Sequence, residues 1–332
     1  MKQTLKLNKL KTADIEKWAG AANEPGTYHL YIVACGYEDR ACHWTRKHFD
    51  GLATQKNSEW LVLGIEDFNA VLSRKANEDF YESKGLKVSK YLIGQYAEVQ
   101  KEIASTVGRI VAQAAQAKSR VEIHVDYSCM PRQWYCNFPV ILEQCVRQED
   151  AIYFWYSLGD YCKHAEYPTA GVSDFNLFGG TPSLGQRSRT HILGLGFDRI
   201  RSHSICSVVD PQNLFCFYAK PGQQNHSERI KHEHGDIFRQ ASYECELPIE
   251  DFCLSFSKLR SIAKDFRMRG DVIILPDGPK PLVLASALIP CSLSESGIVS
   301  FLISRGKPFG YIPVDVEAAG PIYGFQFSGQ RL

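Results

Sequence analysis

The stretch Tyr31–Phe49, YIVACGYEDRACHWTRKHF, passes from an apolar strand through a glycine turn into a helix start. A second stretch, HILGLGFDRIRSHSICSVVD from His191 to Asp210, says nearly the same thing. Shifting by 160 residues lays Gly36 on Gly196, Tyr37 on Phe197, Glu38 on Asp198, His43 on His203 and Asp50 on Asp210. This echo decides the reading of the whole chain.

Working outward, EWLVLGI (Glu59–Ile65), VEIHVDY (Val121–Tyr127) and AIYFWYSL (Ala151–Leu158) are short, nearly continuous apolar runs. Such runs mark parallel strands covered on both faces. Ile103, Val107, Ile110, Val111 and Ala114 recur at helical spacing between them, so the order is βαβ and right-handed crossovers give a doubly wound sheet. The match to the second half continues with drifting shifts. Phe68, Glu78 and Gly85 fall on Tyr218, Glu228 and Gly235 at 150, and Ile103, Val107, Ile110 and Ala114 on Phe252, Phe256, Leu259 and Ala263 at 149. Pro131 and Arg132 fall on Pro279 and Lys280 at 148, and Gly171 and Phe178 on Gly320 and Phe327 at 149.

The reading is therefore an α/β protein of two tandem Rossmann-like parallel-sheet domains related by internal duplication. The expected layout is an N-terminal extension at 1–27, with a helix around ADIEKWAGAA, then domains at 28–180 and 190–332. Glycine, proline and serine gather in 157–189. The early part of that segment reads as a hairpin or edge strands of the first domain, and 180–190 as the linker.

Composition narrows the function classes. Thirty-eight Lys and Arg against 37 Asp and Glu leave a net charge of +1, which argues against bulk DNA binding. Neither a signal-peptide core nor a membrane-length apolar run is found, so no membrane partner and a cytoplasmic location are expected. Eleven cysteines without a CxxC pair read as reduced, buried thiols, Cys35, Cys136, Cys145 and Cys216 among them. No cofactor and no metal site is expected. His232 and His234 read as a solvated helix face, and Tyr153, Trp155 and Tyr156 as core.

In an open parallel sheet, ligands sit beyond the carboxyl ends of the strands where strand order reverses. That rule selects the loop after the first strand and the loop after the fourth. In the first loop, the glycine permits a tight turn and the following helix offers N–H groups to an anion. Gly36, Tyr37, Glu38 and Arg40, with Gly196, Phe197, Asp198, Arg199 and Arg201, are the candidates there. The acids read first as helix caps that complement the dipole, and the arginines either grip a phosphate or pair with a neighbouring acid. The fourth-strand loops are DYSCMPRQW and PDGPKPL. They contribute Asp126, Ser128 and Arg132, and Asp277 and Lys280, with Pro131 at a first helical position. P-loop spacing is absent. If the chain is an enzyme, Ser128 or Cys129 acts on substrate, with His124 or His43 as base, and Arg132 stabilises charge.

On DYSCMPR, and on its pairing with a first-strand loop, the chain resembles the CRISPR-associated Rossmann-fold sensor domains of bacterial antiviral defence. Asp126, Ser128 and Arg132 match that family's D-x-T/S-x-G-x-K/R pattern in kind, while Met130 and Pro131 depart from it. The resemblance implies a nucleotide or cyclic oligonucleotide ligand shared by paired modules, and an effector protein partner. The alternatives are a nucleotide-metabolising or ring-nuclease-type enzyme using the 126–132 loop, and a protein–protein adaptor without ligand.

Overall fold

The computed structural model describes residues 4–9, 26–52, 56–66, 72–160, 171–183, 187–220, 226–293, 295–305 and 314–330. The expected helix around 13–22 lies outside them.

The chain forms two mostly parallel α/β units. Strands β1 (Thr4–Lys9) and β2 (Tyr28–Cys35) lead into a 3-10 turn (Asp39–Cys42) and helix α1 (His43–Leu52). Then come β3 (Ser58–Ile65), α2 (Arg74–Ser83), β4 (Val88–Tyr91), α3 (Tyr96–Gln116), β5 (Val121–Asp126), α4 (Arg132–Tyr135), α5 (Phe138–Cys145) and β6 (Ala151–Gly159). After β7 (Val172–Thr181) the pattern recurs in β8 (Arg189–Leu195), α6 (Arg199–Val209), β9 (Asn213–Lys220), α7 (His226–Glu233), α8 (Gly235–Gln240) and β10 (Tyr243–Pro248). It continues through α9 (Phe252–Arg267), β11 (Asp271–Leu275), α10 (Lys280–Ala287), α11 (Ile289–Leu293) and β12 (Ile298–Arg305), and ends in β13 (Ala318–Gln330).

Apart from β1, the two sheets share one strand order. The first is β1-β13-β6-β5-β2-β3-β4 and the second β10-β9-β8-β11-β12-β7, so order reverses between β2 and β5 and between β8 and β11. The strands from β4 to β6 in the first sheet, and from β10 to β12 in the second, are parallel. Helical spacing reads true: Ile103, Val107, Ile110 and Ala114 on α3, and Phe252, Phe256, Leu259 and Ala263 on α9, are all buried.

The closing strands do not follow chain order. Strand β7, read as an edge of the first domain, pairs antiparallel with β12 in the second sheet. Strand β13, the chain's last, pairs antiparallel with β6 in the first sheet, and β1 pairs with its outer edge. Compact units therefore comprise Gln3–Lys163 with Val314–Leu332, and His164–Pro313, rather than two contiguous halves split at 180–190. Both closing strands nevertheless lie antiparallel against the fifth parallel strand of their own sheet. The Gly85/Gly235 match does not hold: Gly85 follows α2 at φ +73°, whereas Gly235 opens α8. Phe68 lies outside the described residues.

Packing at β13 depends on one small residue. Gly324 lies opposite Trp155, and a Cβ at that position would stand 2.5 Å from the indole ring. Trp155 can thus lie flat in a buried cluster of rings. His124 stacks on it at 6.0 Å and on Tyr153 at 5.0 Å, and Tyr31 packs on Trp60 at 4.5 Å. Tyr153, Trp155 and Tyr156 are core, as their strand-like run predicts. So are Cys35, Cys136 and Cys216, while Cys145 is half-buried. Burial pushes the Cys35 thiol up to about 11 and Cys216 to about 12. Among the described residues no helix is long and apolar enough to cross a membrane.

Two predictions arise from this core. Gly324→Ala drives a methyl into Trp155 and should destabilise the protein by about 1–3 kcal/mol in urea unfolding, whereas Gly94→Ala, which meets nothing within 4 Å, should not. The rings also carry a pH signature. Burial, then a neighbouring cation, lowers His29 to about 4 and His48 to about 4. In the unfolded chain these rings take up protons near pH 6.5. Stability should hold above that pH and fall between about 6.5 and 4, by about 1.4 kcal/mol per pH unit for each proton the folded state refuses. Melting temperatures recorded from pH 8 to 4.5 check this, and His48→Gln should flatten the slope.

Candidate functional site

Both loops chosen by the switch-point rule meet at the carboxyl end of β2 and β5. Cys129 is the nearest neighbour of Gly36, its Cβ 3.4 Å from where a Gly36 Cβ would stand. The Cys129 thiol donates to Glu38 Oε2 at 3.6 Å. Gly36 and Gly196 both keep negative φ, so neither turn needs a left-handed glycine. At Gly196 the requirement is close approach instead, because a Cβ there would stand 2.9 Å from Gly278 Cα. Gly278 itself sits at φ +91°, and a Cβ on Gly194 would meet the Asp277 carbonyl at 2.3 Å. In the second unit the two loops therefore pack backbone on backbone.

Arginine plays the same part in each unit. Arg40 is fully buried; its Nε pairs with Glu38 at 2.5 Å, and Nη1 donates to Tyr156 Oη at 3.2 Å and to the Ser157 carbonyl at 3.0 Å. Arg201, also buried, pairs with Asp277 at 3.2 Å and donates to the Ile303 carbonyl at 2.6 Å. Arg40 thus pairs with the acid two residues before it, whereas Arg201 pairs not with its neighbour Asp198 but with Asp277 of the other loop. Each ties the first loop to the fifth parallel strand. Asp198 caps α6 by accepting from Arg201 N at 3.0 Å. Glu38 makes no such cap bond, its carboxylate being turned to Arg40.

The Asp126–Arg132 loop is similarly knit. Asp126 Oδ1 accepts from the Ser128 backbone N–H at 3.0 Å and from the Ser128 hydroxyl. Ser128 Oγ in turn accepts from Ser157 N at 2.7 Å. This is a side-chain turn that closes the end of β5 onto β6. Pro131 is the residue before α4 rather than its first helical residue, with φ −59° and ψ 148°. Pro279 repeats this before α10, at φ −63° and ψ 143°. Arg132 and Lys280 consequently open their helices at the two switch points, and both side chains are partly exposed.

Sequence reasoning missed the groups that hold the first loop. Asn77 on α2 donates to the carbonyls of Gly36 at 3.0 Å and Glu38 at 2.8 Å. Asp315, just before β13, accepts from Asp39 N and from Ser73 Oγ, each at 2.7 Å. Arg74, buried, donates to the Cys35 carbonyl at 2.8 Å. No local signal marks these residues, because every contact joins separate elements. In the second unit His234 does Asn77's work, its Nε2 2.8 Å from the Gly196 carbonyl. His234 is fully buried, which corrects the solvated-face reading, and burial lowers its pKa. His232 is exposed as expected.

Neither imidazole offered as a base is aimed at Cys129. His124 Nδ1 accepts from the Trp155 indole at 3.1 Å, and His43 Nε2 lies 3.2 Å from the Gly320 carbonyl. Tyr37 is half-buried in the first loop. Phe197 packs on the core and under Arg229 at 5.3 Å, and Arg199 is exposed, its Nε 3.4 Å from His203.

No known protein family and no curated protein matches this sequence. Among solved structures the chain is similar to a Type III CRISPR defence DNA nuclease activated by cyclic oligoadenylate. That match has 7% identity, a TM-score of 0.49, and covers 85% of this chain and 67% of the other. A second similarity is to an N-terminal ketoreductase from the macrolactin assembly line, at 6% identity and a TM-score of 0.23, over 89% of this chain and 72% of that one.

The arginine struts give a direct test. Arg201→Met strands the buried Asp277 carboxylate without its guanidinium and should remove about 3–5 kcal/mol of stability. Adding Asp277→Leu should restore a large part of that loss. Arg132→Met, at a partly exposed position, should stay within about 0.5 kcal/mol. Urea unfolding of the three variants reads all three outcomes.

Proposed function

We propose that the chain is a nucleotide-ligand sensing module without catalytic activity of its own, which acts through an effector protein partner in antiviral defence. The observation that carries the ligand class is the repeated Pro–cation pair. Pro131–Arg132 and Pro279–Lys280 place a positive side chain at the first turn of the helix leaving each switch point, where anions bind in open α/β sheets. Resemblance of the 126–132 loop to the Rossmann-fold sensor domains supports the defence setting. The two units are read as products of one duplication, each contributing a site. Tyr37, Arg132, Arg199 and Lys280 form the ligand-facing set; Gly36, Glu38, Arg40, Asp126, Ser128, Gly196, Phe197, Asp198, Arg201 and Asp277 shape the loops that carry it.

A binding role suits this chemistry better than turnover. The Ser128 hydroxyl donates to Asp126 and accepts from Ser157, so nucleophilic attack would dismantle the turn that presents it. A second reading, the adaptor, is favoured by one observation, the backbone contact between Gly196 and Gly278, which fills the second unit's switch point with protein.

Calorimetry of the full chain against linear and cyclic oligonucleotides separates these readings. The expected result is binding without consumption of the nucleotide. Arg132→Ala and Lys280→Ala should each weaken it by about tenfold, the worth of one charge-assisted hydrogen bond, with circular dichroism unchanged. Turnover abolished by Ser128→Ala would establish the enzyme instead. Absence of binding to every nucleotide, with the fold intact, would leave the adaptor.

A further inference from the structure

At the opposite ends of the same strands, parallel pairing gathers a second group of polar side chains. His29 lies beside Glu122, and Tyr31 beside His124, across the β2–β5 ladder. Alternation along each strand puts His29, Glu122 and His124 on one face. All three are buried, at 6%, 4% and 2% exposure. One donor atom from each can be chosen so that the three lie within 4.8 Å of one another. We propose that these residues bind a divalent first-row cation of the Zn2+ and Co2+ type.

The donor chemistry selects that class of ion. Two imidazoles and one carboxylate suit borderline metals, whereas Ca2+ and Mg2+ need oxygen cages. His29 Nδ1 is buried with no hydrogen-bond partner, 3.5 Å from Glu122 Oε2. At 3.5 Å the Nδ1–Oε2 separation is longer than a hydrogen bond, and in the tautomer that carries its proton on Nε2 the ring offers its Nδ1 lone pair to a cation. A cation between Nδ1 and Oε2 gives the buried Nδ1 the partner it lacks. Glu122 Oε1 already accepts from Arg120 Nη2 at 2.8 Å, which steers Oε2 toward His29. Metal–ligand bonds of about 2.0–2.2 Å require the three donors to draw in by roughly an ångström.

Binding has a built-in reporter. Trp155 Nε1–H donates to His124 Nδ1 at 3.1 Å, which places the imidazole proton on Nε2. Ligation through Nδ1 takes the lone pair the indole uses. Ligation through Nε2 moves the proton to Nδ1 and turns that nitrogen into a donor. Either route breaks the Trp155 bond. The indole is a neighbour of Trp44 at 6.1 Å, so metal uptake must perturb tryptophan emission.

The experiment titrates the metal-stripped full chain with Zn2+ by calorimetry, with Co2+ by visible absorption, and with both by fluorescence. The expected result is one equivalent bound, a visible band for Co2+, altered tryptophan emission and a raised melting temperature. His29→Gln and Glu122→Gln should each weaken Zn2+ at least tenfold, and His203→Ala, at a partly exposed position of α6, should not. Trp155→Phe removes the competing bond; it should bind Zn2+ more tightly while losing its share of the emission change. That variant keeps the test decisive if His29→Gln fails to fold. No binding, or binding in His29→Gln equal to the parent, or Trp155→Phe binding no more tightly than the parent, overturns the site.

Discussion

Everything at the carboxyl end of the first sheet depends on the antiparallel pairing of β13 with β6. The parallel strands from β4 to β6 could end there with an open edge, which folded proteins cover or pair. Here the strand that closes it comes from the far end of the chain and brings its leading residues with it. Asp315 reaches Asp39 and Ser73, and the Val316 carbonyl accepts from Arg40 N at 3.2 Å. The first loop is therefore not a free glycine turn awaiting an anion. A carboxylate of the same chain already answers the N–H group at its helix start.

The second sheet solves the same problem with β7, the strand that in chain order follows the first unit. Each unit thus takes its sixth strand from beyond its own run of βα repeats, and each anchors its first loop to the fifth strand through a buried arginine. Arg40 uses Glu38 and Arg201 uses Asp277 as the counter-ion. Different acids, at different loops, neutralise a guanidinium in the same role. A buried arginine constrains its surroundings strongly, because every donor of its planar fork needs an acceptor. That constraint explains why so many of the polar residues near the switch points face inward.

The sequence showed what periodicity can show. The apolar runs gave the parallel strands, the three-and-four spacing gave the buried faces of α3 and α9, and the echo of Gly36 in Gly196 located the two switch points. It could not show which sheet β7 and β13 would join, since an antiparallel edge strand pairs through its backbone and carries no address in its side chains. Nor could it reveal that His234 would be buried. Its neighbour His232 is exposed, and only the Gly196 carbonyl, reached through the tertiary fold, makes a buried imidazole tolerable there. The cluster of His29, Glu122 and His124 escaped for the same reason, because its members meet across strands whose pairing is nonlocal.

The placement of Ser128 bears most directly on chemistry. A catalytic hydroxyl needs a base beside it and an open side toward substrate. Ser128 instead has a carboxylate acceptor within its own turn, a backbone donor from β6 and complete burial. Its hydroxyl replaces a backbone hydrogen bond at the strand end. The residue type that makes DYSCMPR look reactive is thus the one that makes the loop rigid. Rigidity at a switch point suits recognition, where a preformed loop lowers the entropy lost on binding. Arg132 and Lys280 begin the helices just beyond these turns, at partly exposed positions that the turns fix.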